Sequence, residues 1–344
     1  MSSGSTRQGP LGAGPSGLRP SVEDARHWLA ADFAVQVADI EEVTGGTDTS
    51  AVVWRVVDDA GTAWAAKWTT RRTGTGTRLV TSMATAGIEG TPTVLPTTDG
   101  RSRSRRAGGK LALTRWSEGE DAATVGLGLE AWVAYGALLA DVHAHAFPVP
   151  PRRQGARRGI RRRRRRYRAE IRALDAAAVG GTDPVLDLWR AARPRIDLLL
   201  RGTDLASRTP GEPVPCHGDP HLGNVLVEPD GSLRLVDWDE AVVGPREIDL
   251  HLVEFSVLFQ PATAAQLAAF RRGYGPVELD ECRMVRYACI RALEDLTATM
   301  TAALASSGAE RDEELRVFTG ILAPTGSASL VEDRLRSALA AEAA

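Results

Sequence analysis

The stretch CHGDPHLGNVLV at residues 216–227 sets a Cys, two His, an Asp and an Asn within a dozen positions and then turns wholly apolar. Pro215 gives it an extended entry, and its Gly and Pro content argues against a helix, so it reads as a loop. VLV then makes a short strand, EPDG a turn, and SLRLV a second strand that ends in DWDE. Such a hairpin brings Asp219, Asn224 and Asp237 to one edge. Mg²⁺ takes few protein ligands, all oxygen, and leaves its other positions to phosphates and water. Asn224 and Asp237 supply such oxygens, and Asp219 is placed to accept the proton of a hydroxyl that attacks a γ-phosphate.

Other chemistries fit these residues less well. Cys216, His217 and His221 have the ligand types of a zinc site, yet no second CxxC or HxxxH lies nearby, and the acid-rich loop suits a hard ion better. A loop with a purely structural task needs no pair of carboxylates and an amide converging at a strand end.

The elements that would position these groups begin near residue 22. GGTDTSAVVWRVVDDAGTAWAAKWT reads as a glycine turn, a strand over 51–57, a tight turn at Asp58–Gly61 and a second strand over 62–68. A short helix near 76–86 and a strand around 111–116 follow, the latter after a polar loop, so the N-terminal third is expected to be a small sheet with one helix. Leu129, Trp132, Val133, Gly136, Leu139, Ala140 and His143 fall at helical spacing over 129–145, with His143 as a satisfied core histidine. Helical patterns recur at 183–200, 246–259, 262–272 and 281–300, and the tail is expected to end in a short helix at 329–342. On the helix over 281–300, Val285, Cys289, Leu293, Leu296 and Met300 form the buried stripe, while Arg291 can pair with Asp295 one turn on.

The segment 152–168 holds eleven Arg, six of them consecutive. Like charges in a row predict a solvated or mobile segment dispensable for chemistry. A single interleaved aromatic, Tyr167, argues against nucleic-acid binding. Charge is segregated beyond this segment: the net charge is −2, yet residues 201–344 carry 13 Arg against 23 acids, which favours a cationic partner. Three cysteines without regular spacing suit a reducing cytoplasm, and no stretch reaches the length of a membrane span. The Gly-, Ser- and Pro-rich residues 1–21 are expected to form a disordered leader. Forty of the 42 basic residues are Arg, leaving Lys67 and Lys110 as the only lysines.

HGDPHLGN followed by LVDWDE resembles the catalytic and metal-binding loops of the aminoglycoside phosphotransferase and choline kinase superfamily, whose fold is similar to that of protein kinases. The pattern is HxDxxxxN with an Asp thirteen residues after the Asn. VDWDEAVVGPREIDL is most similar to the spectinomycin-type antibiotic phosphotransferases. The resemblance implies an α+β, two-lobed protein-kinase-like fold: a small N-terminal β-sheet lobe over 22–116, a larger, mainly helical C-terminal lobe over 117–308, and a tail over 309–344. It implies Asp219 as catalytic base, Asn224 and Asp237 as Mg²⁺ ligands and Lys67 as a contact to the nucleotide phosphates. Gly45 and Gly46 would lie in the loop over those phosphates, and Thr114, Arg115 and Trp116 in the hinge that offers backbone groups to adenine. His221, two residues after the base, is placed to hydrogen-bond the transferring phosphoryl group. Asp249 reads as a helix cap or a brace of the loop, and His217 as a brace. The family's usual Glu on the N-lobe helix, partner of the phosphate lysine, is missing from GTGTRLVTSMATAG.

The expected activity is transfer of the γ-phosphate of ATP, with GTP as the alternative donor, to a hydroxyl of a small molecule. An aminoglycoside or aminocyclitol antibiotic is the first expectation, inactivated by its phosphorylation. Asp239, Glu240, Glu294 and Asp295 are the candidate contacts to a cationic acceptor. The alternatives are a metabolic kinase for a sugar, amino alcohol or choline-like substrate, and a non-catalytic binding protein on the same fold.

Overall fold

Alternation along AVVWRVVD puts Val52, Trp54 and Val56 on one face of a strand, and all three are buried. In the computed structural model, which describes residues 19–43, 50–71, 74–147, 155–255 and 261–343, this strand is β2 (Ala51–Asp58). It lies between β1 (Val37–Glu42) and β3 (Ala63–Thr69), all antiparallel. The sheet continues through β6 (Gly109–Arg115) to β4 (Val94–Leu95), with β5 (Ser104–Arg106) also paired to β6. The sequence reading expected one helix in this third of the chain. The structure adds a second, α1 (Val22–Phe33), whose Ser21 hydroxyl accepts the Asp24 N–H while Asp24 accepts the Ser21 N–H. That capping box closes the first turn, and Ala25, Trp28, Leu29 and Phe33 join Trp54, Leu111 and Leu113 in the sheet's core. Each large side chain buried there stabilises the fold by about 1.5–3 kcal/mol.

The chain divides into two compact units, one of Met1–Arg72 with Thr93–Trp116, the other of Thr73–Pro92 with Ser117–Ala344. The second holds α2 (Gly74–Thr85), β7 (Glu120–Asp121), α3 (Ala122–Val125), α4 (Leu129–Ala144), α5 (Gly155–Gly180) and α6 (Val185–Gly202). After α6 come β8 (Val214–Cys216), β9 (Val225–Val227), β10 (Leu233–Leu235) and β11 (Val242–Gly244), then α7 (Glu247–Glu254), α8 (Ala264–Tyr274) and α9 (Glu281–Ala305). Two helices close the chain, α10 (Gly308–Leu322) and α11 (Ser327–Ala343), where the sequence reading expected one. Helix α9 is the spine, packed against α5, α6, α7, α10 and α11, and Val285, Cys289, Leu293, Leu296 and Met300 are all buried. Helix α2 touches the turn after β10 so closely that a Cβ on Gly76 would lie 1.9 Å from the Trp238 carbonyl oxygen.

The Arg-rich segment departs from expectation. From residue 155 it is the first half of the 26-residue α5, and it is anchored rather than merely solvated. Tyr167, Ile171, Leu174 and Ala178 form a buried stripe with successive spacings of four, three and four. One turn earlier the same face carries Arg163 and Arg164, which reach acids on other elements, Glu294 and Asp204.

Candidate active site

Strand β8 delivers the loop that begins at His217, and β11 pairs with it so that Cys216 faces Val242. Gly218 has φ of 89°, and a Cβ there would meet the Glu240 carbonyl oxygen at 2.3 Å, so the turn requires glycine. The loop is pinned from behind by Asp249 of α7, which is fully buried. Its carboxylate accepts the N–H groups of His217 and Gly218, each at 2.7 Å, and the Nε2–H of His143 at 3.0 Å. The Tyr274 hydroxyl donates to His143 Nδ1 at 2.7 Å, so His143 is the satisfied core histidine that its place on the apolar stripe indicated. His217 donates through Nε2 to the Val236 carbonyl at 2.8 Å and accepts the Asp219 N–H on Nδ1 at 3.2 Å. One imidazole thereby ties the loop of Asp219 to the strand end of Asp237.

Among the described residues, ligand atoms of His143, Cys216 and Asp249 lie within 4.8 Å of one another, all buried. This is a hydrogen-bonded brace and not a cation site: both side chains of the His–Asp pair are engaged, and burial pushes the Cys216 thiol well above its usual pKa.

Asn224 ends a tight turn over Leu222–Asn224. Its Nδ2 donates to the Asp219 carbonyl at 2.8 Å and lies 3.3 Å from His221 Nε2. Asp237 adopts φ 57° and ψ 69°, a left-handed conformation that costs on the order of 1–3 kcal/mol in a residue with a side chain. The buried Trp238, whose indole N–H donates to the Leu235 carbonyl at 2.8 Å, holds that conformation in place. An amide oxygen and a carboxylate are hard oxygen donors of the kind that fits Mg²⁺.

His221 accepts the Gly223 N–H on Nδ1 at 3.1 Å, and its Nε2 lies 3.3 Å from Asn224 Nδ2 and 3.7 Å from Asp219 Oδ2. Burial lowers the His221 pKa, with Arg291 and His217 adding to the effect and Asp219 opposing it, so the ring is neutral near pH 7. Burial would by itself raise the Asp219 pKa. The charge of Arg291 and the hydrogen bond it donates outweigh it and hold the carboxyl below the usual range.

The four acids expected at the acceptor side divide into two pairs. Asp239 and Glu240 sit in the short turn over Trp238–Glu240, Glu240 exposed and Asp239 half-buried. Glu294 and Asp295 on α9 were expected as acceptor contacts or solvated surface, and both are instead closed into ion pairs with arginines. Arg163 grips Glu294 through Nε at 2.8 Å and through Nη2, and Arg166 adds a contact at 3.1 Å. Arg291 donates through Nε to Asp295 at 3.0 Å, the anticipated one-turn pair, and also through Nη1 to Asp219 at 2.6 Å, which the sequence did not indicate. An ammonium group could reach Glu294 or Asp295 only by displacing a guanidinium. Glu294→Gln would strand two arginines, and it is expected to lower stability by about 1–3 kcal/mol, the scale for a buried pair reduced for the exposure of Arg166. Urea unfolding measures that loss, and an unchanged midpoint would show that the pairs contribute nothing.

In the first unit, Lys67 lies on β3 opposite Val53 and Ala112, half-buried. Helix α2 contains no acid, in keeping with the missing glutamate. Gly45 and Gly46 lie outside the described residues. At the end of β6, the Arg115 N–H donates to the Thr93 carbonyl at 2.8 Å and the Trp116 N–H to the Ala63 carbonyl at 3.0 Å. Thr114 stands opposite Ala65 and Val94 in the sheet. The backbone N–H groups of Arg115 and Trp116 are thus both engaged within the sheet.

Comparison with known proteins agrees with this architecture. Spectinomycin phosphotransferase APH(9)-Ia, solved with ADP and spectinomycin, is similar at TM-score 0.77 and 18% identity, over 92% of this chain and 99% of that one. Amicoumacin kinase hAmiN, solved with AMP-PNP, Ca²⁺ and Ami, is similar at TM-score 0.60 and 15% identity, over 92% and 94%. A choline/ethanolamine kinase family protein from Mesorhizobium loti reaches TM-score 0.51 at 18% identity, over 92% and 99%. At such identities the likeness is one of fold, a mixed α/β protein-kinase-like architecture. No match was found among curated protein sequences. The profile of the phosphotransferase enzyme family spans residues 39–293, a stretch that takes in Lys67, the HxDxxxxN loop and Asp237, and by that match the chain belongs to the family.

Proposed function

We propose that the protein transfers the γ-phosphoryl group of Mg²⁺-bound ATP directly to a hydroxyl of a small molecule, an aminocyclitol or aminoglycoside antibiotic, and so inactivates it. The observation that carries the reading is the arrangement of Asp219, Asn224 and Asp237 around one braced loop. Asp219, ionised and half-exposed, accepts the proton of the acceptor hydroxyl as its oxygen attacks phosphorus. Asn224 Oδ1 and the Asp237 carboxylate would hold Mg²⁺, which when bound supplies neutralisation of the phosphate charge. His221 is assigned a hydrogen bond to the transferring group, and Lys67 a contact to the nucleotide phosphates. Transfer is read as a single displacement, with no covalent enzyme intermediate.

The likeness to structures solved with spectinomycin and with Ami supports an antibiotic acceptor. The candidate contacts for ammonium groups of the acceptor are Asp239 and Glu240, in the turn that follows Asp237, and Glu294 and Asp295 on α9. The test is turnover of MgATP with a panel of spectinomycin, aminoglycosides, choline, ethanolamine and simple sugars, read by mass spectrometry. An aminocyclitol or aminoglycoside product heavier by one phosphoryl group is expected. Phosphorylation of choline or a sugar alone would favour a metabolic kinase, and no ATP turnover with any compound would favour a binding protein.

A further inference from the structure

We infer that Arg291 is a positioning residue for the phosphoryl-transfer reaction: its guanidinium ties down one oxygen of Asp219 so that the other faces the acceptor hydroxyl. The inference rests on the reading of Asp219 as proton acceptor. The main chain around Asp219 is held by His217, Asn224 and Asp249, but none of these contacts fixes the rotation of its carboxylate. Among the described residues Arg291 alone makes a hydrogen bond to that carboxylate, Nη1 to Oδ1 at 2.6 Å. Oδ2 is left with His221 Nε2 at 3.7 Å, beyond hydrogen-bond reach. The guanidinium is in turn fixed by the Nε contact to Asp295 at 3.0 Å. Both Arg291 and Asp295 stand on α9, the most deeply packed helix of this unit, so a rigid element sets the angle of a side chain that projects from a glycine- and proline-rich loop. A planar fork can hold two carboxylates in fixed directions at once, whereas an ammonium holds a point. Asp295→Arg291→Asp219 is then a relay of orientation, with α9 as its fixed end.

The arrangement makes a prediction that simple structural support would not. Arg291→Ala, Arg291→Lys, Asp219→Asn and the double variant Asp219→Asn/Arg291→Ala are compared with the wild type. Each is assayed with MgATP and the phosphorylated panel compound, and in parallel as ATP hydrolysis with water as acceptor. Arg291→Ala is expected to lower kcat on the order of ten- to a hundredfold, the scale of misplacing a reacting group, with the KM for ATP within about twofold. Arg291→Lys keeps the charge and loses the fork, so its kcat falls by less. Added guanidinium should restore part of the Arg291→Ala rate, and the double variant should be no slower than Asp219→Asn alone. A wild-type or faster kcat for Arg291→Ala overturns the inference, as does a double variant much slower than Asp219→Asn, which would mean that Arg291 acts on the substrate itself. Should circular dichroism show Arg291→Ala unfolded, Arg291→Lys decides, and a wild-type kcat there is fatal. A wild-type rate for Asp219→Asn instead removes the proton-acceptor reading, a different failure.

Discussion

Asp219→Asn is expected to reduce kcat by about two or more orders of magnitude, the usual scale for losing a general base, while MgATP still binds. The amide keeps the shape of the side chain but cannot take a proton from the acceptor. It also replaces the ionised partner of Arg291 with a neutral one, leaving that guanidinium with Asp295 alone, so a modest fall in thermal stability should accompany the loss of rate. Titration calorimetry of ATP with Mg²⁺ beside a turnover assay separates the effects. Loss of metal-dependent binding in this variant would transfer its role to the metal site, and normal turnover would remove Asp219 from the chemistry.

Asp237→Asn should do the opposite in binding and comparable harm to rate. It removes the formal charge at the proposed cation site, so ATP binding should lose much of its Mg²⁺ dependence and kcat should fall at least tenfold, with partial recovery at high Mg²⁺. Asparagine tolerates the left-handed backbone at 237 about as well as aspartate, so folding should be little altered. Calorimetry with and without Mg²⁺ reads the first effect and a Mg²⁺ titration of the rate reads the second. Retention of full Mg²⁺ dependence with normal turnover would exclude Asp237 as a ligand.

What the sequence discloses about this site is mostly local. Asp219, Asn224 and Asp237 lie within one loop and one hairpin, where turn residues and a short apolar run set the geometry, and the bonds from Asn224 Nδ2 to the Asp219 carbonyl and from the Val236 N–H to the Asn224 carbonyl fall within that span. Asp249 as a brace and His143 as a core residue followed from their places in helical patterns, and the structure shows both. The Arg291 contact to Asp219 spans 72 residues, and nothing in either neighbourhood announces it. Glu294 failed for the same reason: its partners come from α5, and proximity in the chain to Asp295 says nothing of arginines about 130 positions away. Helix α5 itself was partly legible. Its buried positions repeat at helical spacing from Tyr167 onward, but the run of arginines hid the earlier turns, where the inward face is occupied by guanidinium groups that find acids instead of a core. At α1 the signal was present in Ser21 and Asp24, three apart, as the reciprocal cap that the structure shows.

The amide of Asn224 belongs to two subsites at once. Its nitrogen holds the carbonyl of Asp219, and its oxygen is the one proposed as a ligand of the cation. Anything that immobilises one end of this three-atom group immobilises the other, so ordering the cation's ligand also orders the loop that bears the base. Thermodynamic reciprocity then applies: by whatever factor the cation tightens the acceptor's hold, the acceptor tightens the cation's. If the proposed cation tightens the acceptor's hold, the metal is retained best when the acceptor is present and released more readily when it is gone.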